Sequence, residues 1–343
     1  MTKRLEPHIA IETQDLGRSF KTYSKSEGIL ASLRGFWDRK YEERVALAPT
    51  NLRIESGQII GLVGANGAGK TTFLKLLSGL IHPSSGTAQV LGYSPWERKP
   101  EFLSQIALLL GQKNQLWWDL SPMDSFALLT EIYDKDAALS RKRLAMLAEI
   151  LACGHVLKTQ LRRLSLGERM KMEIIGALLH EPKILFLDEP TIGLDIVAQT
   201  SIRNFLVEYV KLQGPTVILT SHYMDDIAML ADRLLLISKG QFVYDGTVDS
   251  FVAKTEQKQK ISFSLAAPLD QDFQINPQIF LKAGEQEFSF SVLGHELPPA
   301  LAKVAAFPQV HNIRIEEVDF EDVIHSFLEK ESRVLSPGHS ESP

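Results

Sequence analysis

A single cysteine, Cys153, occurs in 343 residues, which excludes an intramolecular disulfide and any cysteine-built zinc cluster within one chain. That usage fits a reducing compartment. No run approaches the ~18 consecutive apolar residues that span a bilayer, and Met1-Thr2-Lys3-Arg4-Leu5-Glu6-Pro7 is followed by no apolar stretch long enough for an export leader. Any membrane role is therefore expected to be peripheral. The chain also lacks an excess of one charge: 37 Lys+Arg stand against 42 Asp+Glu, a formal net charge of −5, so no basic footprint points to a nucleic-acid partner. Heptads and internal repeats are missing, which sets aside coiled coils and solenoids. What remains, 44% hydrophobic and 23% charged residues, is enough to bury a sizeable core, and at roughly 150 residues per domain the length predicts two domains.

Ile9 to Thr13 and Leu52-Arg53-Ile54 alternate as half-buried strands do. Between them, Ile29, Leu30, Leu33, Phe36 and Trp37 recur on one helical face among Arg34, Arg39 and Lys40, which predicts an inserted amphipathic helix over 24–44. From the short apolar strand Ile59 to Val63 onward, helix and strand patterns alternate as in a parallel sheet with crossovers, through about residue 245. The stretch 113–163 departs from that rhythm. Leu144, Leu147, Ile150 and Leu151 share one stripe with no strand intervening, so a helical subdomain is expected there. Short alternating runs, Ile261 to Leu265 and Phe288 to Val292, then a helical segment Pro299 to Phe307 and a strand Asn312 to Glu316, predict a separate small α+β domain over 258–331. The Ser- and Pro-containing segment 332–343 reads as a disordered tail.

Gly64-Ala65-Asn66-Gly67-Ala68-Gly69-Lys70-Thr71 fits a phosphate-binding loop and stands in the right context, after a buried strand and before a helix starting near Thr72. Such a loop turns backbone N–H groups toward phosphates; Lys70 would reach the β/γ oxygens and Thr71 would ligate Mg²⁺. Lys183-Ile184-Leu185-Phe186-Leu187-Asp188-Glu189 is an apolar run ending in two carboxylates, at the end of a parallel strand where such sheets bind ligands. Asp188 suits Mg²⁺, and Glu189 suits orienting or deprotonating an attacking water. Ser165 and Glu168 have capping-box spacing, so a helix is expected to begin there with free N–H groups facing outward.

With Leu164-Ser165-Leu166-Gly167-Glu168-Arg169 standing between those two motifs, the sequence resembles the nucleotide-binding subunits of ABC transporters. The resemblance implies an α/β phosphate-loop NTPase cassette over 8–250, with a parallel-sheet core, an antiparallel β subdomain and a helical subdomain, followed by the α+β accessory domain. It implies ATP and Mg²⁺ as cofactors, ATPase activity and a second ATP-binding subunit, since Ser165 and Gly167 would face the γ-phosphate held by another chain; complete motifs favour a homodimer. Leu166 and Glu168 replace the commoner glycine and glutamine. Gln112 resembles the glutamine that senses Mg²⁺ and water, Asp195 the interface loop, and His222 the switch histidine at the γ-phosphate. Phe20, with Tyr23 close by, fits the adenine-stacking aromatic, and Asn66, Gly67, Gly69 and Thr72 complete the nucleotide contacts. The same resemblance implies membrane-spanning permease subunits as partners, and so a peripheral position on the cytoplasmic face of the membrane. Trp117 and Trp118 read either as anchors for such a partner or as core of the helical subdomain, and the 24–44 helix either as part of that interface or as cover for its own sheet. The insertion is similar in placement to one in polysaccharide and teichoic-acid exporters, which favours export. An importer, or a soluble ABC-type ATPase acting on ribosomes or DNA, is the alternative. Cys153 with His155 offers too few metal ligands for a closed site, and His311 and His325 read as surface or core residues.

Overall fold

A computed structural model describes residues 9–23, 41–111, 113–221, 223–254, 258–277, 279–307, 310–317 and 320–334. Two compact units divide it, the larger running through Gly246 and taking in the residues from Lys330 onward, the smaller covering Thr247–Glu329.

In the larger unit, β1 (Ile9–Tyr23) pairs antiparallel with β2 (Tyr41–Glu55) and with β4 (Ser85–Val90), forming a three-stranded sheet in the order β2-β1-β4. A six-stranded sheet has the order β5-β6-β7-β3-β8-β9, built from β3 (Ile59–Val63), β5 (Ile106–Leu110), β6 (Ile184–Asp188), β7 (Thr216–Thr220), β8 (Arg233–Ser238) and β9 (Gln241–Thr247). The pairs β5/β6, β6/β7, β7/β3 and β3/β8 are parallel. Strands covered on both faces read as unbroken apolar runs, and every residue of β6 and β7 is buried. Helix α1 (Lys70–Leu77) belongs to the core shared by the two sheets. Its Phe73, Leu74, Leu76 and Leu77 are fully buried, each contributing about 1.5–3 kcal/mol relative to exposure. That burial holds the helix, and the loop before it, in place.

The register sets the site. Leu110 lies opposite Asp188, Asp188 opposite Thr220, and Leu62 opposite Thr220. The carboxyl ends of β5, β6, β7 and β3 therefore form one edge, from which the loops at Gly111, Glu189, Ser221 and Gly64 depart.

After the short helix α2 (Pro100–Leu103), helices α3 (Pro122–Ile132), α4 (Ala137–Ile150) and α5 (Leu166–Leu178) form the helical layer, with Phe126, Leu144, Leu147, Leu151 and Leu161 buried in it. Buried Arg143 fastens α4 to its surroundings: Nε donates to Leu178 O at 2.8 Å, Nη2 to the Tyr209 hydroxyl at 2.8 Å, and Nη1 pairs with Glu181. Helices α6 (Ile196–Gln213) and α7 (Met224–Leu230) follow β6 and β7 respectively.

In the smaller unit, α8 (Val248–Lys254) precedes β10 (Lys258–Leu265), the hairpin β11 (Phe273–Asn276) and β12 (Ile279–Leu281), β13 (Glu287–Leu293), α9 (Leu297–Ala305), β14 (Val310–Glu317) and α10 (Phe320–Val334), which belongs to this unit as far as Glu329. The antiparallel sheet β13-β10-β14 buries Ile261, Phe263, Phe288 and Val292 against Val304 of α9.

Three expectations change. Residues 41–44, read as the end of an inserted helix, are strand: they pair with Tyr23 to Phe20, so the ladder extends beyond the apolar alternation that marked β1 and β2. Most of that expected helix, 24–40, lies outside the described residues. The first unit ends at Gly246 rather than near 250, because Phe251 of α8 is buried and packs edge-on against Phe327, 5.3 Å between centroids, inside the second unit. Finally, α10 continues through Val334, so 332–334 are helical, while the rest of the expected tail lies outside the described residues.

Candidate nucleotide site

The loop after β3 folds back at Ala68, whose N–H donates to Ala65 O at 3.0 Å, and enters α1 through Gly69. Gly69 has φ +117°, and a Cβ there would stand 2.5 Å from Ala46 O, so no other residue fits. No side chain caps α1 and no acid occupies its first turn, which leaves its N–H groups to an anionic ligand. Lys70 Nζ donates to Gly64 O at 2.6 Å and to Ala65 O at 3.3 Å. Burial lowers the Lys70 pKa, and the charges of Glu189 and then Asp188 oppose that shift.

Asp188 ends β6 with both carboxylate oxygens engaged: Thr71 Oγ1 donates to Oδ2 at 2.8 Å and Thr220 Oγ1 to Oδ1 at 2.8 Å. Thr220, fully buried, also accepts from Glu189 N at 3.0 Å, and Thr220 O accepts from the same N–H at 3.1 Å. Glu189 is thereby held at φ +56°, a left-handed conformation costly for a side chain of its size. Gly111 N donates to Asp188 O at 2.8 Å, and a Cβ on Gly111 would lie 2.1 Å from Glu189 O, so only glycine lets the loops after β5 and β6 approach so closely.

A cavity of about 360 Å³ opens at this edge, lined by Phe20, Arg44, Ala46, Asn66, Gly67, Gly69, Lys70, Thr71, Thr72 and Glu189. Phe20 is 37% exposed and carries the Arg18 guanidinium carbon 4.5 Å from its ring centroid. Arg44, the register partner of Phe20 across β1 and β2, brings Nη2 to 3.7 Å from where a Gly67 side chain would begin. The chemistry gathered here is a flat aromatic, cations, a glycine-rich loop, hydroxyls and the Glu189 carboxylate, with Asp188 bonded to Thr71 of the same lining. Groups of these kinds suit the base and phosphates of a nucleoside triphosphate, and Glu189 is a carboxylate in the same lining.

Ser165, Gly167 and Asp195 do not line this cavity. Ser165 caps α5 with a complete capping box: its Oγ accepts from Glu168 N at 3.3 Å, and Glu168 Oε2 accepts from Ser165 N at 2.9 Å. The Ser165 N–H bond is also the main reason the Glu168 pKa is lowered. Asp195 caps α6 by accepting from Ala198 N at 2.8 Å, and a Cβ on Gly167 would meet Ala198 Cβ at 2.8 Å, so the two helix starts lie side by side. Gln112 and His222 fall outside the described residues. Ser221, just before His222, donates to buried Asp226 at 2.8 Å, as does Thr191 at 2.7 Å, and Arg203 completes an ion pair with Asp226 at 2.7 Å.

Trp117 and Trp118 are 40% and 44% exposed, which favours the anchor reading over the core one. Cys153 is buried and its thiol is pushed up to about 11 by burial, while His155 pairs with Glu168 at 3.6 Å. Among the described residues, no group of three His, Cys, Asp or Glu is arranged to hold a metal by itself. Sequence reasoning missed Arg44, which lay in the segment read as helix, and Thr220, although a hydroxyl ending a buried apolar strand is a usable signal.

Fold and site together define a phosphate-loop nucleoside triphosphatase. The family model described as "ABC transporter" matches residues 47–192. The ATP-binding protein NatA of Bacillus subtilis is 28% identical over 236 residues, 69% of this chain and 95% of its own. Daunorubicin resistance ATP-binding protein DrrA3 of Streptomyces coeruleorubidus is 32% identical, covering 64% of this chain and 68% of its own. Energy-coupling factor transporter ATP-binding protein EcfA2 of Clostridium perfringens is 31% identical, covering 65% and 80% respectively. Among solved structures, cbiO1 from Clostridium perfringens, part of the cbiONQ complex, aligns with a TM-score of 0.58 at 25% identity over 73% of this chain and 92% of its own. The dimeric cassette MJ0796 bound to ADP and Pi shares the fold, with a TM-score of 0.57 at 20% identity over 69% of this chain and 98% of its own. The chain belongs to the ABC transporter family, as one of its ATP-binding subunits, and is an ATPase.

Proposed function

We propose that two copies of this chain close head to tail on two molecules of ATP and drive export through separate membrane-spanning subunits, held at the cytoplasmic face of the membrane. The observation that carries the dimer is the split of the site: Ser165, Gly167 and Asp195 lie apart from the cavity that holds Lys70, Thr71 and Glu189. Their helix starts can meet a phosphate only when another copy brings it. Ile196 and Val197, each 80% exposed beside Asp195, provide apolar surface for that closure.

In this reading Phe20 stacks on the adenine, Lys70 and the loop N–H groups, with Asn66, Gly67, Gly69 and Thr72, hold the phosphates, and Arg44 adds a cation near Gly67. Glu189, which lines the cavity, takes the proton of the attacking water. Gln112 and His222 contact the water and the γ-phosphate. Thr71 and Asp188 fit Mg²⁺, because a hydroxyl and a carboxylate, 2.8 Å apart, are hard oxygen donors beside the phosphate loop. Bound there with Gln112, the ion would neutralise charge on the β- and γ-phosphate oxygens.

Export is supported by relatives whose printed names state drug resistance. No helix among the described residues is long and apolar enough to cross a membrane. A cavity of about 750 Å³ is walled by Leu129, Ile132, Tyr133, Glu173 and Leu116, the residue before Trp117, and we assign it to a short helix of the membrane-spanning partner. Tagged protein extracted from native membranes in mild detergent is expected to bring down stoichiometric multi-span proteins by mass spectrometry. Trp117→Ala/Trp118→Ala should lose them while keeping ATPase activity. Stable recovery with ribosomes or DNA alone would overturn the transporter reading.

A further inference from the structure

Three contacts on one stripe of α5 hold the segment between Gln112 and α3. The Arg169 guanidinium carbon stands 5.0 Å from the Trp118 ring centroid. Four residues on, Glu173 accepts from Gln115 N with both carboxylate oxygens at 3.1 Å, and from Leu116 N with Oε1 at 3.3 Å. Three residues further, Gly176 leaves room for the same Leu116, whose Cδ2 would stand 3.1 Å from a Cβ added there. Positions i, i+4 and i+7 share a helix face, so one rigid edge carries all three.

Glu173 is only 4% exposed. A buried carboxylate is costly unless hydrogen-bonded, and the hydrogen bonds it receives here come from the backbone of this segment. Burial raises its pKa, while the N–H groups of Leu116 and Gln115 and then the charge of Arg169 oppose the shift. The bond is therefore matched: the segment needs an acceptor for Leu116 N, which is buried, and the carboxylate needs donors. The same helix begins at Ser165, about two turns before Glu173.

We infer that Glu173 is a positioning residue that ties the Trp117–Trp118 segment to the start of α5, so that the two tryptophans move with Ser165 when nucleotide is bound. This rests on the proposal that Ser165 meets the nucleotide of a second copy. The linkage transmits occupancy of the ATP site to the surface assigned to the membrane partner, through a side chain that stands in the wall of that surface's cavity and does not line the nucleotide cavity.

The test uses full-length chain carrying Glu189→Gln, so that ATP is held, and Trp37→Phe with Trp96→Phe, so that emission comes from Trp117 and Trp118. Dimerisation is followed by gel filtration with and without ATP and Mg²⁺, and tryptophan emission is recorded on the same samples. The parent is expected to dimerise and change its emission on adding ATP. Glu173→Leu should still bind ATP and dimerise, with most of the emission change lost. Glu173→Gln, which keeps an acceptor oxygen, should restore part of it. Gly176→Ala, which keeps Glu173 and presses on Leu116, is the second variant should Glu173→Leu fail to fold, and should give a reduced change. Full emission change in the Leu and Ala variants, or a parent that dimerises without any change, would overturn the inference. A parent that binds ATP without dimerising would instead overturn the split-site reading, and the inference with it.

Discussion

Thr220→Val tests how the two carboxylates at the end of β6 are held. Valine keeps the volume and the β-branched shape of a fully buried strand residue, so the change removes one hydroxyl and little else. Asp188 Oδ1 loses a donor at 2.8 Å, and Glu189 N keeps Thr220 O at 3.1 Å while losing Oγ1 at 3.0 Å. Removing one partner of a hydrogen bond to a charged, buried carboxylate costs about 1.5–3 kcal/mol. For a unit of this size that lowers its melting temperature by roughly 3–6 °C, at about 2 °C per kcal/mol. If the same energy orients Asp188 and Glu189 in the transition state, kcat falls roughly 10- to 100-fold, since each 1.36 kcal/mol is a factor of ten. Nucleotide affinity should change less, because Lys70 and the phosphate loop bond elsewhere. A phosphate-release assay, binding of a fluorescent ATP analogue and a thermal melt read the three quantities, and Thr220→Ser should recover most of the rate. A Val variant with unchanged melting temperature and kcat would refute the view that this hydroxyl organises the site.

Glu189→Gln should bind ATP with near-parent affinity while turnover drops on the order of 10²–10⁴-fold, the usual contribution of a general base; Lys70→Ala should instead lose affinity. Rapid hydrolysis by the purified Gln variant would remove Glu189 from that role. Gly111→Ala places a methyl 2.1 Å from Glu189 O and should cost about 1–3 kcal/mol of overpacking and a large part of kcat, measured by thermal melt and phosphate release. His180 is buried, stacks on Tyr133 at 4.0 Å and bonds Ile106 O at 2.9 Å; burial pushes its pKa from 6.5 down to about 4. The unfolded chain therefore takes the proton first as pH falls, so this stability is present at neutral pH and is lost between about pH 6.5 and 4, on the order of 3 kcal/mol. In urea melts, the stability gap between parent and His180→Phe should shift by about that amount across the window, in the variant's favour at low pH; parallel curves would remove His180 as the cause.

The chemistry of the phosphate loop was legible because it is local: Gly64 to Thr71 are contiguous, and glycine, lysine and a hydroxyl at that spacing have few other uses between a strand and a helix. The same holds for Asp188 and Glu189, which end an apolar run, and for Ser165 with Glu168, whose capping box follows from spacing alone. The parallel-sheet class followed from period and length. What sequence could not supply is anything made by residues far apart. Arg44 reaches Gly67 because the antiparallel pairing of β2 with β1 sets it opposite Phe20, whereas a pattern read over a few residues places it in a helix. Thr220 meets Asp188 through parallel register across 32 positions. Glu173 meets Gln115 across 58, so its burial, ordinarily prohibitive for a carboxylate, becomes intelligible only when the donors are seen. Local spacing determined which atoms could do chemistry on a phosphate; long-range register and burial decided which of them stand together, because hydrogen bonds and desolvation act over a few ångströms of space whatever the distance along the chain.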